Sequence, residues 1–183
     1  GDGRIFQRRE QHVSPNTALH LVVDLSYSMA EGQQDQIALD AAMALALALE
    51  PLRGVSRAVT AFPGHTNRDT LMQLVGHGQG VAANPGVFVQ RGSGSTPMTG
   101  ALWYAAANLL ARQEPRKVLM VLTDGQPDHF ASARDLVRQA TGAGIEVMGV
   151  GIQCDVSRLF PLAIRIDTIG DLKGELFRIA EKL

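Results

Sequence analysis

The chain has 183 residues, 45% of them hydrophobic, enough for one domain with its own core. Its 17 basic and 18 acidic side chains nearly cancel, and no basic stripe of the kind that marks a nucleic-acid surface is present. No run reaches the roughly 18–20 apolar residues needed to span a bilayer, and the single cysteine, Cys154, excludes an internal disulfide and fits a reducing compartment.

Residues 1–16 are charged and Gln-rich and read as an arm, leaving 17–183 as the folded domain. The start, Gly1-Asp2-Gly3-Arg4, has no apolar h-region, so no signal peptide is expected and the expected location is cytoplasmic. A first residue other than Met suggests a piece of a longer protein.

Residues 18–25 read as a buried central strand, and 34–49 as a helix rich in Ala and Leu, ended by Pro51. Strands are expected at 55–62 and 70–75, joined by a turn containing Pro63, Gly64 and Asn67. That connection is too short for a helical crossover, which makes the pair an antiparallel hairpin. Residues 76–95 hold six of the 19 glycines and only a short apolar run, Val87-Phe88-Val89, so they read as a long functional loop. A helix follows over 97–112, a strand over 117–123 and a helix over 131–141. Strands at 145–152 and 162–166 lead to a last amphipathic helix, 171–182, with Leu172, Leu176, Phe177 and Ile179 inward. Trp103 is expected in the core and Cys154 as a small filler at a strand end. The alternation specifies an α/β fold: a doubly wound, mostly parallel sheet with one antiparallel edge strand and helices on both faces.

Three segments present oxygens just past a strand or at a helix start. In Leu21-Val22-Val23-Asp24-Leu25-Ser26-Tyr27-Ser28 an apolar strand ends in an aspartate and two alternate hydroxyls. In Gly92-Ser93-Gly94-Ser95-Thr96-Pro97, Thr96 precedes a proline suited to a first helical turn. In Val121-Leu122-Thr123-Asp124-Gly125 a second apolar strand ends in an aspartate. Neutral hydroxyls with few carboxylates suit a hard cation such as Mg²⁺, with Mn²⁺ or Ca²⁺ as alternatives, rather than zinc or copper. If the two strands are neighbours, Asp24 and Asp124 end at one edge, where open α/β sheets bind their ligands. Each piece also has a purely structural reading. Ser26 and Ser28 can open a helix, Thr96 can cap one, and Asp124-Gly125 is a common turn pair.

Taken together and in order, these residues resemble the metal-ion-dependent adhesion site of von Willebrand factor A (VWA) domains. The resemblance runs from about residue 17 to the end of the chain. It implies that Ser26, Ser28 and, in some members, the threonine at the Thr96 position touch a metal directly, that Asp24 and Asp124 commonly act through water, and that a partner's Asp or Glu completes the shell. The chain departs from many intracellular members in carrying Tyr27 between the serines, where it either covers the metal or packs on the first helix. The stretches Ser95-Thr96-Pro97-Met98 and Arg116 to Gly125 are similar to bacterial VWA subunits that work with AAA+ ATPases, the cobaltochelatase type above all. The resemblance therefore implies a cytoplasmic, non-catalytic protein-interaction module that binds protein rather than nucleic acid or membrane.

Two alternatives stay open. A haloacid-dehalogenase-like phosphatase would use Asp24 as nucleophile, but its acid two residues on is here Ser26. A VWA scaffold with a vestigial metal site is the other, and Tyr27 is its only support. Walker and serine-hydrolase motifs are absent. Asp128 is expected to cap the helix that begins near His129, and the histidines 12, 20, 65, 77 and 129 show no zinc-ligand spacing.

Overall fold

The computed structural model describes residues 16–25, 34–62, 71–79, 98–125, 127 and 129–182. Ten elements are laid down among them: β1 (Thr17–Asp24), α1 (Gln34–Leu49), β2 (Val55–Phe62), β3 (Met72–Val75), α2 (Met98–Leu110), β4 (Arg116–Thr123), α3 (Phe130–Gly142), β5 (Ile145–Ile152), β6 (Leu162–Ile166) and α4 (Ile169–Lys182). The strands form one sheet in the order β3-β2-β1-β4-β5-β6. Every pairing is parallel except β2 with β3, which is antiparallel as the short connection requires.

β1 is covered on both faces, and all eight of its residues are buried. That is why it reads as a continuous apolar run instead of an alternation. Leu19, Leu21 and Val23 enter the core beneath α1, which also takes in Leu172 of α4. Ala18 and Val22 enter the opposite core, beneath α2 and α3. α1 seats closely because the residues it turns inward are small: Ala38, Ala41, Ala42 and Ala46 are completely buried.

The expected fold class is the observed one, with element ends shifted by a residue or two. Leu25 lies beyond β1, its N–H bonded to the Phe62 carbonyl at 2.6 Å. α2 and β3 are shorter than expected and α4 starts two residues earlier. Two expectations are corrected. Trp103 is not core but 65% exposed, because Ala101, Leu102, Ala105, Ala106 and Leu109 already fill the inward stripe of α2. The N-cap position of α3 is His129 rather than Asp128, and its side chain makes no capping bond. Asp128 itself, the arm through residue 15, and most of the 76–95 loop with Val87-Phe88-Val89 lie outside the described residues. Of the inward set expected on the last helix, Leu172 is buried.

Candidate functional site

Strand order decides where a site can sit. The chain leaves β1 toward β2 on one side and later returns to β4 on the other, so the topological switch point lies between β1 and β4. In an open α/β sheet the crevice outside the carboxyl ends of those two strands is the natural binding position. β1 ends in Asp24, and β4 ends at Thr123 with Asp124 following. The parallel register pairs Val23 with Leu122, so the next step sets Asp24 beside Thr123.

Asp24 is fully buried and Asp124 only 8% exposed. The Thr123 hydroxyl donates to Asp24 Oδ2 at 2.6 Å and accepts the Gly125 N–H at 3.1 Å. This short bond holds the Asp24 carboxyl group in one orientation. Gly125 has φ +81°, and a Cβ there would stand 2.9 Å from Val156 Cγ1. Only glycine suits that position, so Asp124-Gly125 is a required turn as well as a carboxylate carrier.

A further carboxylate, not evident from sequence, is buried at the start of α1. Asp35 lies in the first turn of α1 and is fully buried, with Oδ1 accepting the Gln36 N–H at 2.9 Å. An acid at a helix N-terminus is favoured by the helix dipole, which is the signal the sequence offered. Cys154, half-buried just past β5, places Sγ 3.9 Å from the Thr123 carbonyl. Burial, helped by the charge of Asp124, pushes its thiol up to about 11, so it stays protonated at neutral pH and fills space beside the site.

Of the five candidate ligands, Asp24 and Asp124 are thus brought to one edge, whereas Ser26, Ser28 and Thr96 lie outside the described residues, as does Tyr27. Two carboxylates at adjacent strand ends, one oriented by a threonine, suit a hard divalent cation. Among the described residues no group of three or more His, Cys, Asp or Glu side chains could hold an ion. The same residues contain no helix long and apolar enough to cross a membrane.

The family profile described as von Willebrand factor type A domain matches residues 18–161. No curated protein sequence matches the chain. Among solved structures, the chain resembles the pilus adhesin SpaC from Lactobacillus rhamnosus GG at TM-score 0.72 and 18% identity, covering 94% of this chain and 30% of the adhesin. A von Willebrand factor type A protein from Catenulispora acidiphila gives TM-score 0.69 and 18% identity over 92% of this chain and 42% of that one. The manganese-loaded TRAP protein of Plasmodium vivax gives TM-score 0.56 and 18% identity over 75% and 57% of the two chains. The chain thus spans less than half of the first two relatives.

Proposed function

Because the chain belongs to the von Willebrand factor type A domain family, we propose that it is a divalent-cation-dependent protein-recognition module whose cation bridges it to a partner's carboxylate. Domains of this family are protein-interaction modules and generally non-catalytic. The observation that carries the reading is the position of Asp24 and Asp124 at the ends of β1 and β4, on either side of the switch point.

In this reading Asp24 and Asp124 supply the negative charge, and Ser26, Ser28 and Thr96 supply neutral oxygens. A cation held mainly by neutral donors keeps enough charge to attract an Asp or Glu from outside. Thr123 fixes the Asp24 carboxylate before any ligand arrives, which lowers the ordering cost of binding. Mg²⁺ is the proposed ion, and the manganese-loaded P. vivax relative supports a divalent metal. The proposed partner is an AAA+ ATPase subunit of a cytoplasmic assembly such as a metal chelatase, a choice that rests on the resemblance of residues 95–98 and 116–125.

Calorimetric titration of Mg²⁺ and Mn²⁺ into the wild type and Asp24→Ala tests the cation step. Saturable binding to the wild type that is lost in the variant is the expected result. Equal heats in the two proteins would sink the reading.

A further inference from the structure

On the α3 side of the sheet, α3 faces the connection from β5 to β6. Between them runs a cleft of about 310 Å³. α3 lines it with Arg134, Val137, Arg138 and Thr141, spaced so that all four fall on one helix face. The opposite wall is the turn that carries Ser157, Arg158, Leu159 and Phe160, closed by N–H bonds from Leu159 and Phe160 to the Val156 carbonyl. Leu159 and Phe160 are buried and make the floor apolar. The floor is built in: Phe160 lies over Gly149 of β5, where a Cβ would come 2.0 Å from the ring's Cδ2.

The charge around this floor has one sign. Arg134, Arg138 and Arg158 line the cleft, and no acidic residue does. Among the described residues none of these three is in an ion pair or a hydrogen bond, whereas Arg57, Arg112, Arg116, Arg165 and Arg178 each pair with an acid. Arg158 stands over the Phe130 ring at 5.7 Å, which restrains the side chain while leaving its N–H donors available. The nearest acid on this turn, Asp155, is engaged by the Ser157 N–H at 2.8 Å, which holds its carboxyl below the usual range.

We propose that this cleft is a docking groove for an acidic segment of a protein partner, one in which carboxylates flank an apolar side chain. The volume is at the low end for ligand sites, enough for a few side chains. An extended peptide places residues i and i+2 about 6.6 Å apart, close to the roughly 5–6 Å between neighbouring positions one turn apart on a helix, such as Arg134 and Arg138. Because successive side chains of an extended peptide point to opposite sides, an acid–apolar–acid triplet lying between the walls turns both carboxylates to Arg134 and Arg138 on α3 and its middle side chain to Leu159 and Phe160 on the facing turn. An inorganic anion leaves that floor uncovered. A single-stranded nucleic acid lacks a free aromatic platform, since the Phe130 face is taken by Arg158. The groove is built without Asp24 or Asp124, so it works without a cation.

The probe is a fluorescein-labelled octapeptide alternating Glu and Leu, followed by anisotropy in EDTA, where the cation reading has no bearing on the result. Saturable binding is expected, weakened at least tenfold in Arg134→Ala/Arg138→Ala and at least tenfold when every Glu is replaced by Gln. Both arginines are exposed, so the double variant retains the fold. Absence of binding, a double variant within twofold of the wild type, or equal binding of the Gln peptide overturns the proposal. So does tighter binding of an oligothymidylate of the same charge, which would make the cleft a nucleic-acid site.

Discussion

His20 and His77 come from β1 and from the turn after β3, and their rings meet edge to face with centroids 5.7 Å apart. Each is tied to β2 through one nitrogen: His20 Nε2 to the Thr60 hydroxyl at 2.8 Å, and His77 Nδ1 to the Ser56 hydroxyl at 2.7 Å. The other nitrogens, His20 Nδ1 and His77 Nε2, are buried and make no hydrogen bond among the described residues. Burial, helped by His77, lowers His20 to about 3. Burial and Arg112 lower His77 to about 4, with Glu114 opposing. Both imidazoles are therefore neutral in the folded protein at pH 7 and take up protons on unfolding between the ordinary value of 6.5 and their folded values of about 3 and about 4. Because the unfolded chain binds more protons across that window, stability is complete above pH 6.5 and falls as the pH is lowered toward the folded values. For His20 the slope approaches about 1.4 kcal/mol per pH unit. Urea midpoints between pH 6.5 and 5, above most carboxylate titration, should decline accordingly, and His20→Asn should flatten the decline. A midpoint independent of pH in that range would contradict the assignment.

At the level of elements, β5 owes its place to two glycines that serve different neighbours. A Cβ at Gly149 would meet the Phe160 ring at 2.0 Å, whereas one at Gly151 would meet the Cys154 carbonyl oxygen at 2.2 Å. A ring can be trimmed. A carbonyl in a turn held by Gln153 at φ +60° and by its N–H bond to Ile166 at 2.7 Å cannot move far. Gly149→Ala should therefore cost about 1–3 kcal/mol in urea unfolding, as overpacking generally does, and should cost less in a Phe160→Ala background, which removes the Cγ and Cδ2 that the new methyl meets. Gly151→Ala should cost more, and equally in the wild-type and Phe160→Ala backgrounds; the reverse order would refute the distinction.

These contrasts also mark what sequence patterns reveal. The strands and helices were legible because apolar runs of strand length alternate with Ala- and Leu-rich helical ones. Asp24 and Asp124 were legible because each ends such a run. Trp103 was misread because α2 carries no charged residue on either face, so its sequence does not show which side meets the sheet. The histidine pair and the arginine cleft left no local trace: each joins residues from separate elements, and only the folded topology sets them side by side.

For the whole molecule, the order of the strands sets a gradient of stability that ends at the candidate site. β1 is bonded along its length to β2 and β4 and buried throughout, whereas β3 has four residues and β6 is largely exposed on the opposite edge. Amides of β1 and β4 should therefore exchange only through global unfolding, while those of β3 and β6 exchange through smaller openings. Asp24 and Asp124 lie at the ends of these two central strands, and the Leu25 N–H bond to Phe62 belongs to that same lattice. If these strands open only globally, a cation held by Asp24 and Asp124 protects them through the stability of the whole fold. It should raise protection evenly along β1 and β4, by about 1.4 kcal/mol at tenfold excess over its Kd, and change β3 and β6 less. Native-state hydrogen exchange with and without Mg²⁺ measures this directly. A gain confined to the residues next to Asp24, or β1 exchanging as fast as β6, would show that the centre of the sheet is not the rigid frame that positions the two carboxylates.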